Sequence, residues 1–167
     1  MENSNLNFLR LRKITFLILI GCLIAIFISG FDTIVSKTRD VKRKADLKNL
    51  TKALNLYYDK YGFYPISDND WRDWDLTYEF KGAELNFLKI LVEENFINKM
   101  VVDPLNTPNY YYRYQKYPAG SFGCEKAFYI LQLSSFELPT ADIGAGACPG
   151  MNWVEIAPNG YTFQAFD

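Results

Sequence analysis

Eighteen consecutive residues, Ile14 to Phe31 ("ITFLILIGCLIAIFISGF"), carry no charge, and Arg10, Arg12 and Lys13 stand directly before them. A chain with such a run must cover it, because exposed apolar surface of this extent is costly in water. As a helix rising 1.5 Å per residue the run spans roughly 27 Å, close to the roughly 30 Å of a bilayer's hydrocarbon core. The sequence therefore predicts a membrane-spanning helix over 14–31. A cleaved secretory signal is the competing reading, with the basic residues as its leading region and Ile28-Ser29-Gly30 as the cut site. Ile28 fits the small-residue preference there poorly. Lys37, Arg39, Lys42, Arg43 and Lys44 follow the run, so a literal charge count leaves the larger part of the chain in the cytoplasm.

The chain has 167 residues, 49% of them hydrophobic and 17% aromatic, enough for one compact domain with an appendage. Net charge is −1, but Met1 to Lys60 holds 11 Lys/Arg against 5 Asp/Glu, while the remainder holds 7 against 14. A basic front can mark nucleic-acid binding, yet this one also contains the most apolar segment, so nucleic acid is not the default partner. Cys22 lies inside the apolar run and reads as a small apolar residue. Cys124 and Cys148 lie in polar surroundings and suit one disulfide in an oxidising compartment, the alternative being two unpaired thiols. The oxidising reading opposes the charge count.

From Asp32 onward no proline or glycine occurs until Gly62. Leu47, Leu50, Leu54, Tyr57 and Tyr61 recur at three- and four-residue steps and share a helix face, with Lys44, Lys48, Lys52 and Asn55 opposite. A sheet of the same chain is expected to cover the apolar stripe, whereas Thr33 to Lys44 reads as too polar for a core. Gly62 supplies a left-handed helix end and Pro65 prevents resumption, so "GFYP" is a stop. The Asp-rich "ISDNDWRDWDLTYEFKG" follows, where Asp68, Asp70 and Asp73 are weak candidates for a hard cation such as calcium. Their spacing is not that of a twelve-residue calcium loop, and a solvated loop is the simpler reading. Ala83 to Lys99 reads as a second helix with Leu85, Leu88 and Leu91 inward, and Asp103 to Asn109 ("DPLNTPN") as a turn. Strands are expected at Tyr110 to Tyr117, Ala127 to Glu137, Asn152 to Ala157 and Tyr161 to Phe166, with Pro158 to Gly160 turning a hairpin between the last two.

Chemistry is hard to place. There is no histidine, which removes the usual general base and any Ser-His or Cys-His nucleophile. "GAGACPG" (Gly144 to Gly150) lacks a P-loop lysine and reads as a loop carrying Cys148 toward Cys124. Glu125, Glu137 and Glu155 are candidates for paired carboxylate work, with solvated surface acids as the default. Tyr110, Tyr112 and Tyr114 alternate along a strand and suit stacking on sugars or bases, or ordinary cross-strand packing. No enzyme activity, cofactor or resident metal is expected.

Three ordered segments, "RDVKRKADLKNLTKALNLYYDKYGFYP", "DPLNTPNYYYRY" and "YILQLSSFE", together resemble the type IV pilin and type II secretion pseudopilin family. The resemblance covers Ile14 to about Glu137. It implies an α+β fold in which a long N-terminal helix, membrane-spanning and then amphipathic, packs against a C-terminal antiparallel sheet. It also implies a disulfide Cys124–Cys148, a non-enzymatic structural role, and as partners the membrane, other pilin-like subunits and their assembly machinery. Location in the cytoplasmic membrane with the head outside follows from it. The implied organisation is a cytoplasmic tail over 1–13, a span over 14–31, an amphipathic continuation over 32–62 and a head over 63–167. Family precursors are cut after a glycine, before a phenylalanine shortly followed by a glutamate. Alignment on "RDVKRKADLKNL" puts Phe8 at the new N-terminus, with Asn7 at the glycine and Arg12 at the glutamate, so processing here departs from the pattern. The alternative is a pilin-fold binding module fixed in the membrane, displaying Trp71, Trp74 and Trp153 to glycan, DNA or a protein.

Overall fold

The structure is a computed structural model describing residues 2–66, 74–78 and 86–167, with side chains described for 12–25, 31–66, 74–78 and 87–167. Helix α1 is Glu2–Tyr61, and the chain divides into two compact units, Met1–Thr38 and Arg39–Asp167.

The first unit is helix. Its described side chains from 12 to 25 are all exposed, and Ile14, Phe16, Leu17, Ile18, Leu19, Leu23 and Ile24 are each more than half exposed. The membrane span expected over 14–31 is corrected here: among the described residues no helix is long and apolar enough to cross a membrane. Single-pass anchoring and the cytoplasmic-membrane location fall with the span.

The second unit is α+β. Along its helical part, Leu47, Leu50, Ala53, Leu54 and Tyr57 are buried at the predicted spacing. They meet Phe87, Leu88 and Leu91 of helix α2 (Asn86–Glu93) and a sheet face carrying Tyr112, Tyr114, Tyr129, Leu131 and Leu133. Each fully buried aliphatic or aromatic side chain in such a cluster contributes about 1.5–3 kcal/mol. The helix ends where Gly62 takes φ 76° and its N–H donates to the Tyr58 carbonyl at 2.7 Å, a conformation that costs glycine nothing. Helix α2 is shorter than the expected 83–99: its C-terminal end is at Glu93, followed by Asn95 at φ 59°, and 83–85 lie outside the described residues.

Among the described residues seven strands form two sheets: β1 (Asp75–Leu76), β2 (Tyr112–Tyr117), β3 (Phe128–Leu133), β4 (Gly144–Ala145), β5 (Ala147–Cys148), β6 (Met151–Asn152) and β7 (Tyr161–Phe166). The main sheet has the order β1-β2-β3-β7-β4, antiparallel except for β4 beside β7, and β5 pairs with β6. Register opposes Tyr112 to Leu133, Tyr114 to Leu131 and Leu133 to Tyr161, so these face the helices together. Phe128, Ile130 and Tyr117 point the other way, into a second cluster with Trp153 and the Cys124–Cys148 disulfide.

The strand expected over 152–157 is instead a 3₁₀ turn, Trp153–Ile156. The Asn152 side chain accepts the Val154 N–H, and Trp153 packs flat on Tyr117 with ring centroids 4.9 Å apart, so side-chain capping and burial outweigh β propensity. Pro158 to Gly160 therefore turns the chain from a 3₁₀ turn into β7. At Gly160 an added Cβ would lie 2.0 Å from the Leu133 carbonyl oxygen, which leaves glycine as the residue that fits.

Candidate functional site

The chemically distinctive feature of the second unit is a buried charge cluster on α1. Arg39, Asp40 and Arg43 lie within one turn of the helix and present their side chains to the same side. Arg43 is fully buried. Its Nε and Nη2 donate to the two carboxylate oxygens of Asp103 at 2.7 and 2.9 Å, a two-pronged pairing that matches the guanidinium fork. Its Nη1 donates to Asp40 Oδ1 at 2.7 Å and to Glu137 Oε1 at 2.6 Å, and its face covers the Tyr110 ring at 4.7 Å. Arg39 pairs with Glu137 from the more open side.

Each carboxylate also fixes backbone. Asp103 Oδ1 accepts the Leu105 N–H at 2.8 Å, which shapes the Asp-Pro turn, while the Asp40 carboxylate accepts the N–H groups of Glu137 and Leu138 at 3.1 and 3.0 Å. The cluster thus clamps two segments remote in sequence, the 103–110 turn and the chain leaving β3, onto one helical turn. Burial would lower the Arg43 pKa, but the hydrogen bonds it donates to Asp103, Asp40 and Glu137 outweigh it and hold the group well above its ordinary value. One turn further on, the buried Tyr112 hydroxyl donates to Asp46 at 3.0 Å; burial first, then the Asp46 charge, pushes its pKa far up.

This geometry corrects the expectation that Thr33 to Lys44 is too polar for a core, since Asp40 and Arg43 are both buried. It also moves Glu137 from a solvated acid to a member of the clamp, whereas Glu125 and Glu155 are exposed. No paired-carboxylate arrangement of the glycosidase kind results, because Glu137 is spent on two arginines. Tyr112 and Tyr114 lie in the core, and Tyr114 stacks on Phe87 at 4.5 Å. Trp153 is 1% exposed and Trp74 is half-buried against it and over Arg113, so these two form no open aromatic platform; Trp71 lies outside the described residues. Asp68, Asp70 and Asp73 also lie outside them, and among the described residues no group of acidic, Cys or His side chains is placed to hold a metal.

Cys124 and Cys148 are bonded, with Cα atoms 5.2 Å apart, and Cys22 is free and exposed. Tyr61 is half-buried, its hydroxyl donating to Glu94, which Lys60 also reaches at 2.7 Å. Pro65 leads the chain off the helix end, its carbonyl accepting the Tyr114 hydroxyl at 2.7 Å. Asn7 and Phe8 fall within α1. Sequence reasoning missed the roles of Asp40, Arg43 and Asp103. The available signal was a same-face Arg39/Asp40/Arg43 spacing together with an aspartate directly before a proline.

No family model matches the sequence, and neither a curated protein nor a solved structure matches it. The chain is defined by class alone: an α+β protein with a long helix and a C-terminal, mainly antiparallel sheet. No match supports the pilin or secretion assignments implied by the resemblance, and the chain is assigned to no family.

Proposed function

We propose that the protein is a non-enzymatic, pilin-like structural subunit that assembles with further copies of itself through the helix of its first unit. The observation that carries this reading is the exposure of Ile14, Phe16, Leu17, Ile18, Leu19, Leu23 and Ile24 on that helix. These residues follow one another around the helix rather than along one stripe, which is the pattern of a helix surrounded by other apolar surface. Copies packed side by side would supply that surface. The clamp of Arg43 supports the same reading, because it spends the buried charge of the second unit on holding the fold rather than on a reacting group. The absence of histidine and the family resemblance in the 39–137 segments support it further.

Cys22 is a native reporter of this packing. The full chain should sediment as concentration-dependent oligomers, and a short bismaleimide should join copies through Cys22 in that state. A chain that stays monomeric at every concentration, with Cys22 freely labelled, would refute the reading.

A further inference from the structure

The second unit has an open groove on the helix side of its sheet, about 500 Å³ in volume, within the range of small-molecule sites. Its origin lies in the topology. Helix α2 packs toward β2, with Phe87 on Tyr114, whereas at the other edge β4 is two residues long and, among the described residues, no second helix lies over β7. The strip between α1 and β7 is left uncovered. Leu47, Leu56, Tyr161 and Phe163 make its apolar lining, and Lys44, Lys48 and Lys52, at successive turns, make its rim.

The three lysines are not equivalent. Lys44 faces Asp142 across the lip at 3.7 Å and lies over the Phe136 ring. Lys48 and Lys52 have no anionic partner among the described residues. We infer that this groove binds a single-chain amphipathic carboxylate, a free fatty acid of medium length, with the head between Lys48 and Lys52 and the acyl chain along Tyr161, Phe163 and Leu47. Lysines four residues apart on a helix have Cβ atoms about 5–6 Å apart, so the ammonium groups of Lys48 and Lys52 can converge on one carboxylate. The apolar part of the lining accepts a tail, and the carboxylate at the lip, Asp142, is paired with Lys44.

Competing occupants fit less well. An extended peptide would bring backbone N–H and C=O groups into a slot lined largely by apolar side chains, where they would be desolvated. A helix satisfies its own backbone, but at about 10 Å diameter three turns of it occupy roughly 1,300 Å³, more than the groove holds. An acyl chain has neither difficulty.

The test is lysine footprinting of the full chain, which reads the groove separately from the apolar helix of the first unit. Dodecanoate should protect Lys48 and Lys52 from acetylation while leaving Lys13 and Lys37 fully reactive. Dodecyltrimethylammonium, of similar length and opposite charge, should protect neither. A K48Q/K52Q variant, altered at exposed positions, should bind dodecanoate about tenfold more weakly in a competition assay with a dansylated undecanoate. A Thr51→Trp variant, filling the groove, should abolish the remaining binding. Absence of protection up to about 1 mM dodecanoate overturns the inference, as does equal protection of all four lysines. Protection of Lys48 and Lys52 by self-association without dodecanoate, with the self-association itself lost in K48Q/K52Q, would assign the groove to a second copy and equally overturn it.

Discussion

Leu54 and Leu17 sit on the same helix, α1, yet Leu54 is fully buried and Leu17 is 67% exposed. The helical geometry around them is the same; what differs is whether the chain supplies the other side of the contact. From Arg39 to Tyr61 it does, with α2, a sheet face and three carboxylates. From 12 to 25 the described side chains meet solvent. Helix formation and burial are therefore separate achievements: the second unit supplies the buried contacts, while the described side chains of the first at 12–25 are exposed.

The comparison breaks most severely at Arg43. Arg43→Ala would leave Asp103 and Asp40 buried without their counter-charge, and we expect a loss of about 3–5 kcal/mol in denaturant unfolding. Arg43→Lys should recover little of it, because an ammonium cannot span both oxygens of Asp103. A loss below about 1 kcal/mol for Arg43→Ala would show that the cluster behaves like a surface ion pair.

The disulfide comes next. Cys124 and Cys148 are 24 residues apart, and releasing a loop of that length costs about 3.5 kcal/mol through the unfolded chain. Reduction should lower the unfolding midpoint of the second unit and expose Trp153, read as a shift of tryptophan emission to longer wavelength. An unchanged midpoint would mean that the aromatic stack of Tyr117, Phe122 and Trp153 holds this face without the bond.

A smaller effect belongs to the contact between α1 and the end of α2. The Lys60 ammonium and the Tyr61 hydroxyl hold the Glu94 carboxyl below its ordinary value of 4.5. A carboxylate with a lowered folded pKa adds stability that is present above the ordinary value and is lost as pH falls through the folded one. The midpoint should therefore fall on acidification below about pH 4.5, and part of that slope should disappear in Glu94→Gln. Superimposable pH profiles for the two proteins would remove Glu94 from the account.

How far these features could be read in advance follows from their range in sequence. The stripe Leu47, Leu50, Leu54, Tyr57 and the turn at Gly62 are local, set by helical periodicity and one backbone angle, and they were legible. The mainly antiparallel sheet was legible from alternating aromatic residues at 112–117 and 128–133. The clamp was not, because Arg43 acquires its meaning only when residues 60 and 94 positions away arrive beside it. A charged residue reads as solvated until its partner is known. Trp153 was misread for the opposite reason: its local β propensity gave way to a cap at Asn152 and a ring of aromatic neighbours. The groove lined by Lys44, Lys48 and Lys52 was visible only as a polar helix face, since nothing in that face announces that β4 is too short to support a cover.

The smallest expected effect on stability falls on the exposed helix itself and sharpens the comparison most. Leu17→Ser together with Leu19→Ser removes apolar side chains that touch little within their own chain, so unfolding of the second unit should change by no more than about 0.5 kcal/mol. If copies pack through this helix, the same double substitution should abolish cross-linking through Cys22 and shift sedimentation toward the monomer. Leu50→Ala, a residue of the same helix in the buried stripe, should do the reverse, costing about 2–5 kcal/mol of stability while leaving assembly of the surviving folded fraction intact. Crossed outcomes of this kind separate a helix segment that holds its own domain from one that holds its neighbours. If both substitutions affected stability alike, the distinction between Leu54 and Leu17 would be one of exposure without consequence.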